Sequence, residues 1–258
     1  MKAFLSLSKP FREEVRINGS IGVEFINTML KSYKNPTSFN AIRRHLNVLL
    51  NYLKDHGFDV NPTSLKPLKQ TEILHKPIVN LGKILQDIRT YNNNLCLCAL
   101  FTYCCLLRPH REVRLLKWKD FSSDMKYVSI DGSRVKSKRN RIVPVPEVIR
   151  KELSHGNLEH FIFTDSPIEF NHDYFKTLWS RYKRQSRILD KEITLYSFRH
   201  TGAIDLFKRT GSITKLHSAM GHSSIKVSLT YLRGLEVPEL TQEDMPRINF
   251  SNYDYPIS

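Results

Sequence analysis

Acidic side chains are scarce in this chain. Its 258 residues hold 25 aspartates and glutamates against 40 lysines and arginines, a formal charge of +15. Such an imbalance points to a polyanionic partner, most commonly nucleic acid, although charge alone does not separate that case from a merely basic protein. Cysteine is also rare. Cys96, Cys98, Cys104 and Cys105 all fall within ten residues of one apolar run, a spacing that fits neither a zinc site nor a disulfide framework. Buried free thiols in a reducing compartment are expected instead. Long hydrophobic runs are missing: the stretch from Leu95 to Leu107 has thirteen residues, too few to span a bilayer. The start, Met1-Lys2-Ala3-Phe4-Leu5, lacks the sustained apolar core of a signal peptide. Internal repeats and low-complexity tracts are absent too. A protein acting in the cytoplasm, at the nucleoid, with no membrane partner is the expectation. Hydrophobic content of 40% and aromatic content of 10% exclude a disordered chain.

Periodicity then divides the chain. Ile21, Phe25, Met29 and Tyr33 recur every four residues and predict an amphipathic helix. Asn35-Pro36-Thr37-Ser38 supplies a break and a cap. A second helix follows with Phe39, Ile42, Leu46, Leu49 or Leu50, and Leu53 inward, and Gly57 to close it. Arg43 and Arg44 lie off that stripe, on a face that suits either phosphates or plain solvent. Pro62, Pro67 and Pro77 mark a boundary. Residues 1–66 are thus expected to form a small helical domain, with 1–20 as the remnant of an arm, 67–77 a linker, 78–235 a larger domain, and 236–258 a tail.

The larger domain should open with a helix over 78–91, followed by the cysteine-bearing helix ending at Arg108-Pro109. A short helix over 112–118, a strand over 127–130, a turn at Asp131-Gly132 and a returning strand over 141–146 come next. Helix 147–154, a third strand at 160–163 and a helix capped by Asn171 or Asp173 complete the pattern before residue 190. The fold class is mostly α with a small antiparallel β-sheet (α+β). Arg134, Lys136, Lys138, Arg139 and Arg141 cluster around the hairpin turn, and Lys183 and Arg184 lie on the later helix. All but Lys136 are candidates for DNA contact, though such clusters are also common on solvated surfaces.

Tyr196 to Tyr231 carries the most chemistry. It holds Arg199, His200, His222 and Tyr231 in thirty-six residues. An arginine forks two donors onto phosphate oxygens, a histidine donates or moves a proton, and an activated tyrosine is a nucleophile. Taken singly, Tyr231 reads as a helix aromatic, His222 as a capping histidine and Arg108 as a cap on helix carbonyls. Together, Leu107-Arg108-Pro109 with Glu112 and Leu116-Lys117-Trp118-Lys119-Asp120, Lys136 ahead of Arg141-Ile142-Val143-Pro144, and Arg199-His200-Thr201 with Gly221-His222-Ser223-Ser224 and Tyr231 resemble the tyrosine recombinases of the phage integrase family. The likeness covers residues 20–235, and 95–235 most closely.

That resemblance implies a two-domain, C-shaped clamp on double-stranded DNA, working as a homotetramer on two duplexes with an accessory DNA-bending or directionality factor. It implies that Tyr231 attacks a phosphate to give a 3′-phosphotyrosyl link, with Arg108 and Arg199 clamping the phosphate oxygens and His222 adding a hydrogen bond. Lys136, with Lys138 as its rival, would protonate the leaving 5′-oxygen. Neither ATP, a metal nor another cofactor is implied, because the phosphotyrosine stores the bond energy. Two departures stand out. Glu112, in a supporting role, lies one residue farther from Arg108 than the family pattern has it, and Tyr196 replaces the family's histidine. Two other readings use the same residues: a non-catalytic DNA-binding accessory or regulatory protein, and a type IB topoisomerase-like enzyme.

Overall fold

The structure, a computed structural model, describes residues 22–69, 76–134 and 139–232, with the side chain of Arg134 outside that description. The arm at 1–20, part of the linker, Lys136, Lys138 and the tail lie outside the described residues. The chain divides into two compact units, Met1–Ile73 and Leu74–Ser258.

In the first unit, α1 (Val23–Lys31) and α2 (Pro36–Asp55) pack through Ile26, Leu30, Phe39, Ile42, Leu46 and Leu50. The four-residue stripe assigned to α1 is therefore rotated: Ile26 and Leu30 are fully buried, while Phe25 and Met29 flank them. Asn35 caps α2 by accepting from the Thr37 and Ser38 amides at 2.8 and 3.2 Å, with Pro36 at the first helical position. The proline-bearing segment that follows forms neither helix nor strand. It is laid along α2 by side chains that supply the missing backbone partners: Asn47 accepts from the Thr63 amide at 3.0 Å, and Asn40 both accepts from and donates to Leu68, each at 2.8 Å.

The second unit is built around α4 (Asn93–Cys104), preceded by α3 (Leu81–Tyr91). Helix α4 is apolar all round, as a helix enclosed by its neighbours must be. It ends at Cys104, four residues short of the expected Arg108, because Leu106 adopts a left-handed backbone with φ of 53°. The expected helix at 112–118 is instead two 3-10 turns, Val113–Leu115 and Trp118–Asp120. Strands β1 (Tyr127–Ile130) and β2 (Arg141–Pro144) pair antiparallel, with Val128 opposite Val143 and Ile130 opposite Arg141. The third strand is not formed: Phe161 makes isolated bridges to Lys117 and Ser166. Helix α5 (Glu147–Arg150) is shorter than expected. Helix α6 (Tyr174–Gln185) follows Asp173, whose side chain makes no capping hydrogen bond.

Helix α7 (Leu195–Thr210) crosses α4 closely. Gly202 makes this crossing feasible, since a Cβ there would lie 2.1 Å from the Tyr103 carbonyl oxygen. Glycines 211 and 221, both left-handed with φ of 60°, close α7 and α8 (Ile213–Met220), and α9 (Ile225–Leu229) leads into a 3-10 turn, Thr230–Leu232. Among the described residues no helix is long and apolar enough to cross a membrane.

Candidate active site

One carboxylate organises three guanidiniums from distant parts of the second unit. The chain leaving α4 turns once, with the Glu112 and Val113 amides donating to the Arg108 carbonyl at 2.9 and 3.0 Å. This turn brings the Glu112 side chain back onto its starting point. It accepts from the Arg108 amide at 2.8 Å and from Arg108 Nη1 at 2.6 Å. The extra residue between Arg108 and Glu112 is thus absorbed as one helical turn, in which residues four apart face each other. From β2, Arg141 grips the same carboxylate with both terminal nitrogens, at 2.6 and 3.3 Å. From α7, Arg199 Nη1 lies 3.9 Å from Glu112 Oε2. Burial pushes the Glu112 carboxyl upward, but the Arg141 hydrogen bonds and the charges of Arg141, Arg199 and Arg108 outweigh it and hold the group below its usual range.

With one negative group among three positive ones, the cluster retains excess positive charge. Access to it is graded: the Arg108 side chain is 22% exposed, Arg141 6% and Arg199 not at all. Arg199 donates Nη2 to the Met220 carbonyl at 2.8 Å. Its Nε and Nη1 are buried without a hydrogen-bond partner among the described residues. Burial brings its pKa down to about 10, so it remains charged at neutral pH. A buried cation with unused donors is costly unless an anion completes it.

Gly221, His222 and Tyr231 close the other side. A Cβ at Gly221 would lie 2.7 Å from Arg141 Nη1, so this position requires glycine both for its left-handed backbone and for room. His222 is buried, and burial, followed by the charges of Arg199 and Arg108, lowers its pKa to about 3. Its imidazole is therefore neutral. The Ser228 hydroxyl lies 2.9 Å from His222 Nδ1; donation there leaves the ring proton on Nε2, free to serve as a donor. The Tyr231 ring is half-buried between His222 and His200, with centroids at 5.3 and 5.7 Å. His200 itself is buried. Tyr196 is half-buried one helical turn before Arg199, and burial holds its phenol above the usual value.

The structure thus brings Arg108, Glu112, Arg199, His222, Tyr196 and Tyr231 into one neighbourhood. The candidates for DNA contact separate. Arg44, Arg139 and Arg184 are exposed. Arg43 donates to the Leu65 carbonyl, and Lys183 donates to the Lys191 and Ile193 carbonyls. Arg141 is not a surface cation: it is buried inside the ion cluster. Its inward direction was available from strand alternation, since it shares a face with buried Val143. Ser228, which carries His222, was missed as well. Among the described residues, no group of His, Cys, Asp or Glu converges so as to hold a metal ion.

Three fixed guanidiniums, a neutral histidine and a tyrosine in a mostly helical unit make a site that can receive an oxyanion and present a hydroxyl to it. The chain belongs to the phage integrase family, whose model matches residues 74–236. Its fold is shared with solved structures. A Tn1549 transposon integrase in complex with a circular intermediate DNA matches with a TM-score of 0.61 at 16% identity, over 86% of this chain and 93% of that one. A lambda integrase dimer bound to a COC′ core site matches with a TM-score of 0.70 at 17% identity, over 86% and 68%. The XerH site-specific recombinase bound to palindromic difH matches with a TM-score of 0.61 at 17% identity, over 86% and 71%. A search of curated proteins gives no match.

Proposed function

We propose that the protein is a site-specific DNA recombinase of the integrase type, which cuts and rejoins DNA through a 3′-phosphotyrosyl intermediate. The observation that carries this reading is the convergence of Arg108 and Arg199 on buried Glu112, with His222 against the ring of Tyr231. Tyr231 Oη attacks the phosphorus of a DNA phosphodiester. The attack concentrates negative charge on the non-bridging oxygens, where preorganised donors contribute most. Arg108, at the accessible edge, and Arg199, with its unused Nε and Nη1, supply those donors. The neutral His222 adds a hydrogen bond from Nε2. Lys136, outside the described residues, is assigned by its sequence position to protonate the leaving 5′-oxygen. A second 5′-hydroxyl then attacks the phosphotyrosine and transfers the strand, so the reaction conserves bond energy without ATP. Strand exchange pairs two duplexes, which fits a homotetramer and an accessory factor that bends DNA or sets direction. Exposed Arg44, Arg139 and Arg184 supply salt-sensitive affinity.

The test is covalent capture on a pool of nicked duplexes of randomised sequence, from which a cut strand cannot rejoin. The unaltered protein should yield denaturation-resistant protein–DNA adducts, and Tyr231→Phe should yield none. Adducts that persist in Tyr231→Phe remove the nucleophile assignment. No adduct from either protein favours a DNA-binding role without catalysis.

A further inference from the structure

The turn that keeps Arg108 on Glu112 starts wide and ends tight. The Val113 and Arg114 amides donate five residues back, to the Arg108 and Pro109 carbonyls at 3.0 and 3.2 Å. The Leu115 and Leu116 amides donate only three back, to the Glu112 and Val113 carbonyls at 3.3 and 3.2 Å. The His110 carbonyl falls at this change of pitch, and no described backbone amide reaches it. Arg114 supplies the donor instead, from Nε at 3.2 Å. The same guanidinium donates Nη1 to the Phe170 carbonyl, in the segment leading to α6. That anchor is firm. Phe170 stacks on Tyr174, the first residue of α6, with centroids 3.7 Å apart and planes within 9°, and Tyr174 lies edge-on to fully buried Phe175. Arg114 is 8% exposed, and its guanidinium's partners among the described residues are these two carbonyls, not a carboxylate. A buried cation held in this way costs stability that an apolar side chain of similar volume would not, so filling space does not account for it.

We propose that Arg114 is a positioning residue for the reaction: by bridging the His110 and Phe170 carbonyls, it holds the turn that sets Arg108 on the phosphate. This rests on the recombinase reading of the site. Arg108 is the most exposed of the three clustered guanidiniums, and it stands on a turn, whereas Arg141 stands on β2 and Arg199 on α7. Arg141 ties the Glu112 end of this turn to β2. Arg114 ties its middle, at His110, to the segment before α6. The His110 ring also meets Tyr196 of α7, with centroids 6.0 Å apart, but a ring contact sets direction less strictly than a rigid fork of donors. Fixed at both its middle and its end, the turn cannot rock. The margin is small, because a displacement of about 1 Å at a reacting group costs about 100-fold in rate.

Single-turnover adduct formation on the nicked duplex pool, with protein in excess, tests this role. Arg114→Met keeps an apolar stem but has no donors. It should slow adduct formation by about 100-fold while DNA affinity in a gel-shift titration stays within about twofold. Arg114→Lys keeps the charge without the fork and should slow the step by about tenfold; it carries the test if Arg114→Met does not fold. The decisive comparison is made in an Arg108→Lys background. There a residue that acts through Arg108 has little left to position, so adding either substitution should slow the chain by no more than about threefold. The same fold-loss in both backgrounds, or equal losses of rate and affinity, overturns the proposal and leaves Arg114 a packing residue. So does a rate within about threefold of the unaltered chain for both substitutions. No adduct from the unaltered chain overturns both this role and the recombinase reading, whereas adducts indifferent to the residue at 114 overturn the role alone.

Discussion

Both units carry arginines, and they hold them in opposite ways. On α2 of the first unit, Arg44 is exposed and Arg43 reaches a loop carbonyl. In the second unit, Arg108, Arg141 and Arg199 are drawn inward and fixed on one buried carboxylate. Exposed cations attract DNA by releasing counterions, at little cost and with little geometry. Buried, fixed cations cost stability, but they are already in place when charge develops on a phosphate. On the proposed function, the formal charge of +15 would serve two purposes, affinity at the surface and catalysis inside.

Removing the organiser should have the largest effect. Glu112→Ala leaves three guanidiniums without their carboxylate and is expected to cost roughly 3–5 kcal/mol, measured by urea unfolding, together with loss of adduct formation. A loss below about 1 kcal/mol would mean that the cluster holds itself together. The same carboxylate sets a pH dependence. Its folded pKa lies below the unfolded value, so its contribution is present above the ordinary glutamate range and is lost as pH falls through the folded pKa. Acid unfolding of the native chain should show this dependence, and Glu112→Gln should weaken it.

Arg199→Lys comes next. Lysine keeps the charge but loses the fork, so adduct formation should fall about 100- to 1000-fold with nearly unchanged DNA binding in a gel-shift titration. Equal losses in both measurements would make Arg199 a binding residue and blur the contrast between the units. Ser228→Ala should then slow adduct formation by about fivefold to tenfold, the worth of one hydrogen bond. Ser228→Thr should keep the rate, and nitrogen NMR should show His222 shifting between its neutral tautomers in the alanine variant. The smallest effect belongs to the first unit. Arg44→Ala should reduce the salt slope of DNA affinity by about one and leave unfolding and chemistry unchanged. A large loss of adduct from this variant would show that the surface cations do more than attract.

Legibility in the sequence followed how locally each feature is determined. That Arg199, His222 and Tyr231 would lie near one another was readable because α7, α8 and α9 are consecutive, with Gly211 and Gly221 closing the first two. The class of fold was readable from periodicity. The end of α4 was not, because Leu106 adopts a left-handed backbone that its side chain disfavours. His160-Phe161-Ile162-Phe163 looks like a strand, but it meets Lys117 and Ser166 only at single bridges. The site was half readable. Glu112 was given a supporting role from the resemblance alone, and its reach to Arg141, twenty-nine residues away, exists only in the fold, so nothing local in the sequence pointed to it. Arg141 was counted among the surface cations of a basic turn, although its phase with Val143 pointed inward.

The most direct measurement is to digest the captured adduct and identify both ends of the new bond. Peptide mass mapping should place the DNA on Tyr231, and end-labelling should show a 3′-phosphate in the linkage with a free 5′-hydroxyl on the released strand. Attachment at another residue, or through a 5′-phosphate, would contradict the account.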